Sequence, residues 1–309
     1  MSLIDTIGPI ARWGLFVGIT AMMGAVAFRL VVLPRWRGAH PWPEAIPGAD
    51  ATSANLGFGA AVGMVLILPL ILLDQILLFR DPCSPFGAEL DLLVTGTPWG
   101  RMWQLQLLSV ILAVVAFAIV RARREASTSW WFAAAATLFC ANIPALSGHS
   151  AGTDRFHVLA VGADAVHIIA AGTWMGTLAA LLIVVRVAVK RGAGATDVLP
   201  GVVTAFSPLA LWSTATLVGT GLFATWLHVG SLGGLFGSTY GRILLFKVGI
   251  VAVAAGLGAY NWKRLTPRLG SAEGSKAFMS GSARSEVVMG LLVLLLTAVL
   301  VVTAHPMER

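Results

Sequence analysis

Runs of apolar residues long enough to cross a bilayer recur eight times in this chain, near 9–33, 55–79, 102–120, 130–147, 157–185, 203–227, 243–262 and 285–305. A span needs about 20 apolar residues. Hydrocarbon offers no partner for backbone N–H and C=O groups, so each run must close its own hydrogen bonds as a helix. Only 11% of the 309 residues are charged, against roughly 25% in soluble domains. These features predict an all-α, polytopic membrane protein, a bundle of eight transmembrane helices forming one integral membrane domain over 1–309, with no separate soluble domain. Pro34, Pro82, Pro98, Pro200 and Pro267 fall between the runs, and 38–54 and 270–284 read as polar linkers. The first run lacks a basic leader and a small-residue cleavage site, so it reads as a retained span. No repeat of fixed period stands out.

The net charge of +7 speaks for orientation rather than for nucleic acid. Lysine and arginine mark the cytoplasmic ends of spans. They concentrate after spans 1, 3, 5 and 7: Arg35 and Arg37; Arg121, Arg123 and Arg124; Arg186, Lys190 and Arg191; Lys263, Arg264, Arg268, Lys276 and Arg284. The bias predicts an N-out/C-out bundle. Trp13, Trp99, Trp103 and Trp226 are expected in one interfacial belt, and Trp130, Trp131 and Trp262 in the other. Cys83 and Cys140 form no CxxC pair, reading as an exposed loop thiol and a small buried residue.

In that topology five of the six histidines fall on or near the outer side: His149, His157, His167, His228 and His305. Asp74, Asn142 and Lys247 are placed in the outer parts of spans 2, 4 and 7. Ionisable groups inside a span are costly and usually line a cavity or path. On a helix, His157, Asp164, His167 and Trp174 share one stripe about 100° wide. His157 and His167 are nevertheless about 15 Å apart along the axis, too far to hold one ion. Asp164 and His167, three residues apart, suit a shared ion or a carboxylate that orients the imidazole.

Imidazole suits copper and zinc, and thioethers favour Cu(I). Met22, Met23, Met64 and Met175 lie near mid-membrane, so an outer His/Asp site above a deeper Met region would suit copper entering from outside. The primary candidate ligands are His149, His167, Asp164 and His157. His228, His305, Met175 and Asp74 are secondary ones, and Trp174, Lys247 and Glu286 are pathway residues. Plainer roles stay open for each: a loop cap for His149, a buried histidine satisfied by Asp164, an Asp74–Lys247 ion pair, a Glu286–Arg284 pair, methionines as core filler. No HExxH, nucleophile–base pair or nucleotide motif points to an enzyme. The alternative function is a haem-binding electron-transfer protein of the cytochrome b kind, since buried histidines also ligate haem iron.

Four segments, in order, resemble the copper resistance protein D (CopD/PcoD) family of bacterial inner-membrane proteins: GHSAG…DAVHIIAAGTWMGTLAAL, FSPLALWSTATLVGTG, STYGRILLFKVGIVAVAAGLGAYNWKRLTPRL and ARSEVVMGLLVLLLTAVL, together about 140–305. The resemblance implies copper transport across the bacterial inner membrane from the periplasmic side, with both termini periplasmic. It also implies a separate periplasmic copper-binding partner of the CopC type. Residue by residue it points to His149, Asp164, His167, Trp174, Tyr240, Gly241, Arg242, Lys247 and Glu286. The first 140 residues carry no such motif.

Overall fold

The structure is a computed structural model that describes residues 3–39, 48–147, 157–229 and 232–303, with the backbone alone at 3–6, 39, 147, 157, 228, 229 and 232. Helices occupy almost all of it, and no strand occurs among the described residues. Eight helices are long and apolar enough to cross a membrane: Ile7–Gly38, Ala49–Phe79, Pro98–Ala122, Ser127–Leu146, Val158–Lys190, Ala195–Leu227, Thr239–Arg268 and Ala272–Val301, here spans 1 to 8. Eight successive spans, each crossing the membrane once, alternate in direction, which gives the bundle an N-terminal end and an opposite, basic end.

The spans run longer than the apolar runs, because polar residues extend the helices beyond the hydrocarbon. Both expected linkers are therefore partly helical: span 2 begins at Ala49 and span 8 at Ala272. Pro34 and Pro200 lie inside helices instead of between them. Pro34 follows the π-helical turn Phe28–Val32, in the first turn of a new helical segment, where a missing N–H is tolerated. Three further π-turns interrupt the spans, at Gly172–Gly176, Asn261–Leu265 and Phe278–Ser282. Each inserts one residue into the helix and so redirects the side chains around it.

Spans 1 and 5 are central, with 67% and 61% of their apolar windows buried against 6% for span 7. They meet backbone to backbone. A Cβ on Gly24 would stand 2.1 Å from the Gly176 carbonyl carbon, and one on Gly176 would stand 2.0 Å from the Thr20 carbonyl oxygen. In lipid, helices associate through such close packing of small residues, because apolar side chains gain nothing by leaving lipid for protein. Two apolar clusters flank the contact. One joins Met22, Met64, Phe117 and Trp130 from spans 1 to 4, and the other joins Phe28, Leu181, Leu199 and Phe206 from spans 1, 5 and 6.

A local motif occurs twice that no fixed period reveals. Thr97 caps span 3 by accepting a hydrogen bond from Gly100 N at 2.9 Å, and Ser238 caps span 7 by accepting one from Gly241 N at 2.9 Å. The sequences TPWGR and STYGR match at these points, and each is preceded by a short helix, Phe86–Gly96 or Leu232–Gly237. Gly100 and Gly241 press against carbonyl groups of those helices, where a Cβ would stand 2.2 Å away.

Gly176→Val should sharply lower the yield of monodisperse protein and the melting temperature in detergent, since overpacking costs about 1–3 kcal/mol or more. Gly59→Ala, at a position with nothing within 4 Å, should leave both unchanged in the same thermal scan.

Candidate functional site

His167 lies on span 5, five residues before the π-turn Gly172–Gly176. Its Nδ1 is 2.8 Å from Thr220 Oγ1 on span 6. Thr220 uses its only proton to bond the Thr216 carbonyl at 2.7 Å, the back-bond usual for a helical threonine. Its oxygen can then only accept, so Nδ1 donates and the neutral ring keeps its lone pair on Nε2. A hydrogen bond that fixes the tautomer in this way is the usual support of a metal-binding imidazole. Gly221, beside Thr220, lies next to the ring, where a Cβ would make ordinary contact with His167 Cε1 at 3.7 Å. Asp164, one turn towards the N-terminal end, and Lys247 on span 7 complete the group. Lys247 acts through its charge on both His167 and Asp164.

The expected pairing of Asp74 with Lys247 is corrected: Asp74 bonds Arg12 Nη1 at 2.9 Å between spans 1 and 2. Asp74 and its partner press against Gly8, where a Cβ would stand 2.5 Å from the carboxylate. Arg12 compensates the charge of Asp74.

His149 and His305 lie outside the described residues, as does His40. For His157 and His228 the backbone is described, at the start of span 5 and the end of span 6, both at the N-terminal end. Among the described residues no three His, Cys, Asp or Glu side chains converge on a metal-sized site.

Deeper in the bundle, Trp174 is buried and Met175 lies across Gly290 of span 8, where a Cβ would stand 1.9 Å from the methionine Cε. Glu286, one turn from Gly290, accepts a hydrogen bond from Asn261 Nδ2 of span 7. The expected pair with Arg284 does not form: Arg284 is exposed and Glu286 is buried. Met22, Met23 and Met64 are core residues, with Met64 filling the notch at Gly18. Cys140 is buried, its Sγ 3.0 Å from Gln106 Nε2, and Cys83 is exposed.

Three groups were invisible in the sequence. Thr220 resembles any hydroxyl back-bonded in a helix. Asn261 depends on a π-turn for its direction. Arg29 and Asp50, near the basic end, form an ion pair that Arg37 joins at 2.9 Å. Arg29 also lies 5.7 Å over the ring of Trp130, which is fully buried in the protein. Asp50 sits in what read as a linker, in the first turn of a helix that starts at left-handed Gly48, φ 78°.

Eight apolar spans enclosing a few polar groups at defined depths make this a multi-pass membrane protein. The chain belongs to the copper resistance protein D family: residues 200–300 match copper resistance protein D, and residues 3–156 match the copper resistance protein D-like N-terminal domain. The N-terminal match covers the part of the chain that precedes the four resembling segments. A copper resistance protein D from Pseudomonas syringae pv. tomato is 25% identical over 269 residues, 85% of this chain and 83% of that protein. The copper transport protein CutJ of Bacillus subtilis (strain 168) is 28% identical over 218 residues, 69% of this chain. That match spans only 38% of CutJ's own length. No solved structure gives a significant match.

Arg12→Ala leaves Asp74 unpaired and should destabilise the protein by about 3–5 kcal/mol. The double variant Arg12→Met/Asp74→Leu should recover most of the loss in detergent melts.

Proposed function

We propose that the protein carries copper across the bacterial inner membrane, receiving it at the N-terminal, periplasmic end and passing it to His167. The observation that carries this reading is the imidazole of His167, held by Thr220 so that Nε2 is free, in a chain whose relatives are named for copper resistance and copper transport. The basic end faces the cytoplasm by the distribution of lysine and arginine, which puts both termini in the periplasm and the whole chain in one membrane domain.

His149 and His157 act as entry ligands at the mouth, with His228 and His305 as further ligands at the same end. Asp164 either joins His167 on the ion or balances its charge. Lys247 occupies that carboxylate when no copper is bound. Trp174 and Met175 lie about 10–12 Å further along span 5 at 1.5 Å per residue, on the route inward. A separate periplasmic copper-binding protein of the CopC type supplies the ion. No relative or family match is named for haem or for an enzyme.

In cells lacking other uptake, His167→Ala should reduce copper accumulation to the vector level. Parental accumulation in that variant, at equal membrane expression, would overturn the reading. Thr220→Val, which removes the acceptor of Nδ1, should weaken copper binding about 10–100-fold, the usual effect of losing such a support. Chelator competition on purified protein measures it.

A further inference from the structure

We infer that a second copper station lies deeper in the bundle, built by the Glu286 carboxylate and Asn261 Oδ1 beneath the Met175 thioether. It rests on the copper reading above and adds a site for the ion after His167.

Glu286 is 4% exposed, and among the described residues no lysine, arginine or histidine pairs with it. A buried carboxylate without a counter-charge is costly in a protein interior and more so in a bilayer. Its one partner is the Asn261 amide. Asn261 is 6% exposed, and its Oδ1 has no hydrogen-bond partner. Ser282, one turn along the same face of span 8, also carries a buried hydroxyl oxygen without a partner. Oxygen acceptors thus outnumber donors at one buried level, a deficit that a cation fills.

The opposite wall is sulfur. Met175 lies over Gly290, about 6 Å along span 8 from Glu286, in space that only a glycine leaves free. Met175, Asn261 and Ser282 each belong to a five-residue π-turn, on three different spans. Such turns concentrate at functional sites, because they turn side chains off the regular helical stripe. The turns on spans 7 and 8 touch each other and the turn on span 5 touches span 8, and each gives up regular helical hydrogen bonding inside a membrane span. The thioether is the ligand that favours Cu(I), and the carboxylate and amide oxygens are harder donors that hold a soft ion only weakly. Few, weak ligands also suit a transit site, which must release what it binds.

The test is a Cu(I) titration of the purified full-length chain against a chromophoric chelator. The parent should bind one equivalent at the His167 centre and a second, weaker one here. Glu286→Gln should lose the weaker equivalent and keep the other, and His167→Ala should do the reverse. Asn261→Asp, which adds a carboxylate, should tighten the weaker site. Two equivalents of unchanged affinity in Glu286→Gln would overturn the inference and leave the His167 reading standing. No copper bound by the parent would overturn both. If Glu286→Gln does not remain monodisperse, Met175→Leu, which keeps the packing volume, decides: the weaker site must lose affinity, and unchanged affinity overturns the proposal.

Discussion

The backbone contact between Gly24 and Gly176 sets the positions of most other groups in the molecule. In a bilayer the usual reward for burying apolar side chains is missing, so two helices hold together by how closely they fit. Glycine on both sides lets spans 1 and 5 approach until a Cβ on either would meet the other's main chain. That contact falls at the end of the π-turn Gly172–Gly176, and so fixes the part of span 5 that bears Trp174 and Met175. From there Met175 reaches Gly290 on span 8. The same span carries His167 to Thr220 on span 6. One close approach thereby orients the candidate ligands on span 5.

The polar groups fall into two kinds, and the difference is physical. Arg12 with Asp74, and Arg29 and Arg37 with Asp50, are charges neutralised within the protein. They brace spans 1 and 2 at opposite ends. The groups on spans 5 to 8 are arranged differently. His167 spends one nitrogen on Thr220 and keeps the other, and Glu286 has an amide but no cation beside it. In hydrocarbon an incomplete polar set is expensive to keep. Such sets lie along the half of the chain that carries the histidine stripe.

The eight spans were legible because length and hydropathy decide whether a segment can cross a bilayer. Proline was a weaker guide: Pro34 and Pro200 mark helix interiors, as one missing N–H is tolerable near a helix end or a π-turn. Helical angles placed Asp164 and His167 together from sequence. Partners across helices were not legible, since they depend on which spans touch. Asp74 met Arg12 instead of Lys247, and Glu286 met Asn261 instead of Arg284. The π-turns had no sequence signal at all, and they direct Met175 and Asn261. Thr220 was hidden for a simpler reason: its value lies in the proton it gives to Thr216, which makes it an acceptor for histidine.

The central claim is that copper occupies the bundle interior along spans 5 to 8. Anomalous scattering at the copper edge, from crystals of the protein grown with Cu(I), tests it most directly. The account predicts a peak within bonding distance of His167 Nε2 and a second between Glu286 and Met175. Copper found only at surface residues, with the interior empty at saturating metal, would contradict it.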